Sequence, residues 1–220
     1  MSFIIRSLRR HCIVFVAALL AIAAAIPASA GASDEDHQFK LILANPKLAA
    51  CLSEDPDDPR HAPIVTASVE RGELNDTLHL HLRRFKPGLN FDLFTVQRSN
   101  KLADGSPDQA FTNFGLAWYQ SDVRVNENGN GDVTVKTILL DQIFGFDPDV
   151  NLAPTNTFHL GFWFNDPADA QPCGINVVTP FNGEHHAGPL AFITTPDAAT
   201  GLGPLCVNPD LSKSPVTCNP

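Results

Sequence analysis

The chain has 220 residues, 24 of them acidic and 15 basic, for a formal charge of −9 at pH 7. That is the size of one domain or two small ones, and 44% hydrophobic against 18% charged residues exclude a disordered polymer. Fourteen Gly, eighteen Pro and one Met argue against a helical bundle, and the acidic balance against nucleic acid or anionic membranes as partners, because phosphate contacts need clustered Lys and Arg.

The N-terminus carries an export address. Arg6, Arg9 and Arg10 form a positive head, Cys12 to Ile26 is an uncharged apolar run, and Pro27 precedes the small residues Ala28-Ser29-Ala30. This layout predicts a secretory signal peptide over residues 1–30, cleaved after Ala30. The run falls short of the ~20 apolar residues a membrane span needs, so no span is expected after removal. What remains has 12 basic and 24 acidic residues, a formal charge of −12, and is expected in the periplasm or outside the cell.

Export changes how the cysteines are read. Cys12 leaves with the leader, and Cys51, Cys173, Cys206 and Cys218 remain. An even count in an oxidising compartment predicts two disulfides, with no C-x-x-C to suggest a redox or zinc motif. Three pairings are open. Cys173 with Cys206 and Cys51 with Cys218 is favoured, because the second bond would tie both ends onto the body.

Residues 31–62 read as an irregular N-terminal extension. It contains the acidic run Asp34-Glu35-Asp36, a short helix opened by the cap Asn45 and first-turn Pro46, and a Pro/Asp-rich stretch from Asp55 to Pro63. From Ile64 the period becomes two. Strands are expected over Ile64–Val69, around Leu78, Leu80 and Leu82, over Phe91–Val96, within Phe114–Val125, around Val133 and Val135, over Thr157–Phe164 and over Leu190–Thr194. Turn residues separate them, notably Lys86-Pro87-Gly88 and the Asn/Gly-rich Asn126–Asp132. Eleven prolines follow residue 145, so the last third should be mostly loops around its strands. The expected fold class is all-β: an antiparallel immunoglobulin-like or Greek-key β-sandwich over 63–200 with long Pro-rich loops, followed by an irregular tail over 201–220.

Four features bear on chemistry. His79 and His81 share one face of a strand and are in reach of a single metal, but alternation already accounts for them as the wet face of an amphipathic strand. Glu184-His185-His186 offers donors suited to zinc or copper, with His159 as a further ligand, although no complete set with the usual spacing is present. Asn126 to Asp132 places oxygen donors at alternate positions like a calcium loop, yet Thr137 stands where the closing Glu belongs, so a hairpin tip is expected. Trp118-Tyr119 and Phe162-Trp163-Phe164 are candidate sugar-stacking surfaces, with Trp118 and Trp163 as the binding residues, but alternation sends part of each cluster into the core. There is no G-x-S-x-G, no H-E-x-x-H and no phosphate-cradling loop.

Phe158-His159-Leu160-Gly161, Cys173, Pro180-Phe181-Asn182-Gly183 and His186-Ala187-Gly188-Pro189-Leu190 together resemble the metal-binding half of Cu,Zn superoxide dismutase, which carries F-H-x-H, a loop cysteine, H-F-N-P and H-x-G-D-L in that order on a β-sandwich. The resemblance implies that Cys206 plays the family's C-terminal cysteine. Gly161 and Pro180 stand where two ligand histidines belong, and Pro189 replaces the aspartate. Only His159 and His186 match ligand positions, so no dismutase activity is implied. More broadly, Lys86-Pro87-Gly88-Leu89 and the Asn/Gly tip are similar in style to uncharacterised secreted bacterial β-sandwich proteins, a likeness that implies fold and no activity.

The leading expectation is a secreted, disulfide-stabilised, non-catalytic β-sandwich without a cofactor, binding an extracellular protein or a carbohydrate. The alternative is a metal-binding protein or metalloenzyme holding copper or zinc through His159, His185 and His186.

Overall fold

The computed structural model describes residues 37–70, 72, 76–138, 157–176, 187–206 and 209–218. The chain divides into two units, 1–33 and 34–220, and every described residue belongs to the second. In chain order the strands are β1 (His37–Leu43), β2 (Ile64–Glu70), β3 (Asp76–Arg83), β4 (Asn90–Val96), β5 (Ala117–Arg124), β6 (Gly131–Ile138), β7 (His159–Phe164) and β8 (Leu190–Ile193), followed by the two-residue strands β9 (Pro209–Asp210) and β10 (Thr217–Cys218). Between β1 and β2, a 3-10 turn (Pro46–Leu48) runs into the single-turn helix α1 (Ala49–Leu52). It opens as its sequence predicts: the Asn45 side chain accepts from the Lys47 N–H and Pro46 takes the first turn.

β1 to β8 form one antiparallel ladder in the order β5-β4-β7-β8-β1-β2-β3-β6. β1 joins its two halves. His37 to Leu41 pair with β2, while Ile42 and Leu43 pair with β8. The edge strands β5 and β6 are consecutive in sequence and meet at a shared hairpin tip, which makes the sheet nearly barrel-like. The all-β class expected from the sequence is the observed one, built as a single ladder. At the tip, the Asn126 side chain accepts from the N–H groups of Asn128 and Asn130, and Gly129 takes φ 72°. A side chain at Gly129 would strain this backbone and strike the Phe85 carbonyl.

The core lies between the two halves. Val65, Ala67, Val69, Leu78, Leu80 and Leu82 supply one side, each at most 2% exposed. Phe91, Phe162, Phe164 and Phe192 supply the other, with Phe162 stacked on Phe192 at 5.4 Å and Phe91 edge-on to Phe162 at 4.9 Å. Such pairs add about 0.5–1.5 kcal/mol each beyond the area they bury.

Three expectations are corrected. Residues 31–62 are not wholly irregular, because β1 lies within them and inserts between β2 and β8. The tail after 201 holds the β9–β10 ribbon. The disulfides are Cys51–Cys173 and Cys206–Cys218, not the favoured pairing. The physical reason is local: α1 packs on the 3-10 segment Pro167–Cys173, which brings Cys51 to Cys173, while β9 and β10 bring Cys218 back to Cys206. Closing a loop of sequence separation 122 is worth about 5 kcal/mol in the chain-entropy account. The bond of separation 12 is worth about 3 kcal/mol on the same basis.

Candidate functional site

In a ladder, residues opposite one another share a face, so register alone places the outward side chains. On the outside of β1, β2, β3 and β6, one row reads Lys40, Thr66, His81, Asp132 and the next reads Gln38, Ser68, His79, Thr134. His81 Nδ1 lies 2.6 Å from Asp132 Oδ1. The carboxylate can only accept, so Nδ1 carries the hydrogen. Asp132 also accepts from Arg83 Nη2 at 2.8 Å. The guanidinium first, and the imidazole second, hold its carboxyl below the usual range. His79 engages Thr134 Oγ1 at 3.1 Å and Glu70 Oε1 at 3.4 Å. The two imidazoles therefore serve separate cross-strand partners and do not converge on one ion. Thr134, His79 and Glu70 have the connectivity of a hydroxyl–imidazole–carboxylate relay, but they stand on an open sheet face. The neighbouring hollow of about 370 Å³ is lined by His81, Lys40, Thr66 and Ser68 and not by His79.

The outside of β5, β4 and β7 is built differently. A bulge in the β4–β5 ladder leaves Gln120 as an extra residue between the pairs Leu93–Ser121 and Phe94–Tyr119. Strict alternation would put Tyr119 and Asp122 on opposite faces. The bulge puts both outward, which is the re-aiming that bulges produce. The Tyr119 hydroxyl donates to Asp122 Oδ1 at 2.6 Å, and its ring packs edge-on against Phe94 at 5.6 Å. Burial first, then the Asp122 bond, pushes the phenol up to about 12, so it stays protonated. The ring is nevertheless 49% exposed. A hollow of about 290 Å³ is lined by Asn90, Phe91, Asp122, Arg124 and Asn165, with Tyr119 outside its lining. Asn165 Nδ2 donates to Asp92 Oδ1 at 2.8 Å, and Arg124 Nη2 stands 4.0 Å from Asp122.

The described residues among those singled out from the sequence are scattered. His159 is buried, with Nδ1 at 3.0 Å from Thr194 Oγ1 and 3.2 Å from the Thr194 carbonyl. Burial pushes its imidazole down to about 4, so it is neutral at pH 7. His185 and His186 lie outside the described residues. Trp163 is fully buried, edge-on to Phe94 and Phe114 at 5.4 and 5.2 Å, and offers no face to a ligand. Its expected binding role is set aside. Trp118 is 49% exposed but pairs with Thr95, on the opposite face of β5 from Tyr119. The Asn126–Asp132 segment spends its Asn126 oxygen on the hairpin backbone and Asp132 on His81 and Arg83, as a hairpin tip does. Sequence reading missed Asp55, Asp58 and His61, whose donor atoms lie within 4.8 Å of one another, although Arg60 already occupies Asp58 at 2.6 Å.

No protein family, curated protein or solved structure matches the chain. Among the described residues it is a disulfide-bonded, antiparallel β protein with open hollows on its outer faces. The disulfides are bonds of an oxidising, non-cytoplasmic environment. No helix among the described residues is long and apolar enough to cross a membrane.

Proposed function

We propose that the protein is a secreted, immunoglobulin-like β-sandwich, exported by a cleaved leader over residues 1–30, that binds an extracellular ligand without transforming it. One observation carries this reading: polar side chains on rigid strands are locked to one another beside water-open hollows, while the buried imidazole of His159 is sealed against Thr194. Locked side chains on strands lose little entropy when a ligand arrives, which favours recognition. Covalent or acid–base chemistry instead calls for a nucleophile and base converging in a space that closes against water. Incubation of the mature protein with saccharides, peptides and ester and glycoside substrates tests the proposal. Saturable binding without product is the expected result, and a turnover abolished by one point substitution overturns it. Native mass spectrometry addresses the copper or zinc alternative, which requires a stoichiometric metal adduct that disappears in His159→Ala.

A further inference from the structure

We infer that the hollow across β1, β2 and β3 binds a hydroxylated monocarboxylate of the size of one sugar acid, with Lys40 as its charge partner and Gln38, Thr66, Ser68 and His81 as its hydroxyl partners. The inference rests on the binding reading above and adds to it a site and a ligand class.

Register makes the hollow. Lys40 on β1 and His81 on β3 both pair with Thr66 on β2, so they stand two strand spacings, about 10 Å, apart on one face. Between them β2 presents only the short Thr66 and Ser68 to that face, with Gln38 opposite Ser68. Longer side chains on both sides of short ones leave a trough of about 370 Å³, and all five of these residues line it. Phe39 and Ala67 also border it, while their side chains pack on the core.

The trough is polarised from one wall to the other. Lys40 brings a cation, and among the described residues its ammonium has no ion-pair or hydrogen-bond partner. At the other wall His81 gives its Nδ1 hydrogen to Asp132, 2.6 Å away, so in the neutral ring Nε2 can only accept. A carboxylate therefore suits the Lys40 end and a hydroxyl the His81 end. A second negative charge would meet Asp132 behind that wall, which selects a monoanion over a dianion such as phosphate. Asp132 is itself matched by Arg83 at 2.8 Å, and Glu70, further along β2, stands outside the lining and 3.4 Å from His79. Between the walls Gln38, Thr66 and Ser68 each both donate and accept, as ring hydroxyls do. About 370 Å³ is at the lower end of small-molecule sites, room for one ring.

Amide NMR of the mature protein, titrated separately with D-glucuronate, methyl β-D-glucopyranoside and inorganic phosphate, tests the assignment. Expected are saturable shifts at Lys40, Thr66, Ser68 and His81 with glucuronate. The uncharged glucoside binds about fivefold more weakly, the upper end for an exposed ion pair. Lys40→Met keeps the stem, removes the charge and brings glucuronate down to the glucoside's level. Thr66→Val, of similar shape without the hydroxyl, weakens both sugars, and Arg124→Ala, in the other hollow, binds as the parent does. The amide spectrum itself reports whether each variant is folded. No glucuronate shifts in the trough, or equal affinity in a folded Lys40→Met, overturn the assignment. So does phosphate that shifts the same amides as tightly as glucuronate. Glucuronate shifts confined to the hollow at Asp122 and Arg124 overturn it and leave the binding reading standing. Chemical conversion of the glucuronate overturns both.

Discussion

The two outer faces of the sheet differ in what lies against them. On β2 and β3 burial alternates residue by residue, with Val65, Ala67, Leu80 and Leu82 inside and Thr66, Ser68, His79 and His81 toward solvent. On β7 and β8 every described residue is buried, and on β4 all but Asn90 are. The segment from Gln97 to Leu116 folds back over that second face. It is fixed by bonds from Gln97 and Arg98 to the carbonyls of Leu116 and Phe114, and Phe114 closes on Trp163. Gly161 leaves the space, since a Cβ there would sit 3.3 Å from the rings and chains of Trp163 and Leu190. Alternation thus reads a strand correctly when one face is wet, and fails when a covering loop makes both faces core.

This difference is tested first where the effect is largest. Trp163→Ala should cost about 3–5 kcal/mol of stability in urea denaturation. Lys40→Ala on the open face should change it by no more than about 0.5 kcal/mol. Equal effects would erase the distinction between the faces. His159 gives the next largest signal. Its imidazole titrates near 6.5 in the unfolded chain and at about 4 in the folded one, so the unfolded state holds more protons between those values. Its contribution is complete above the unfolded value and is lost as pH falls toward the folded one, at ~1.4 kcal/mol per pH unit and on the order of 3 kcal/mol in total. His159→Gln should flatten that part of the stability–pH curve, and an unchanged curve would mean the histidine is hydrated after all. The smallest effect belongs to the open face. Asp132→Asn, loosening the exposed contacts to Arg83 and His81, should cost at most ~1 kcal/mol, less at high salt. A larger loss would show that face to be more tightly organised than its exposure implies.

Much of the fold was legible. The period of two located β2 and β3, and turn residues located the hairpin tip at Asn126. β1 was missed although His37-Gln38-Phe39-Lys40-Leu41 alternates, because an acidic run before it and Asn45-Pro46 after it suggested one irregular extension. The disulfide pairing was not legible, since it follows from which segments pack and not from spacing along the chain. Trp163 could not be separated from Trp118 as a ligand platform, because burial of the outer face depends on a loop distant in sequence. The Tyr119–Asp122 pair was hidden for a different reason. One bulged residue reverses the facing of everything beyond it, and nothing in Gln120 announces a bulge.

The position of β1 has a consequence for how the domain comes together. It is the first described strand, yet it sits inside the sheet, with β8 as its neighbour on one side. A chain delivered from its N-terminus produces β1 and its β2 partner early, while the β8 partner of Ile42 and Leu43 arrives only with Leu190–Ile193. Contacts so far apart in sequence form slowly, because closing the long loop costs entropy before any contact rewards it. The ladder β1-β2-β3-β6 has all its strands by Ile138, whereas the seam between β1 and β8 waits for Leu190–Ile193, so the two halves of the sheet are joined only when the last long strand is in place.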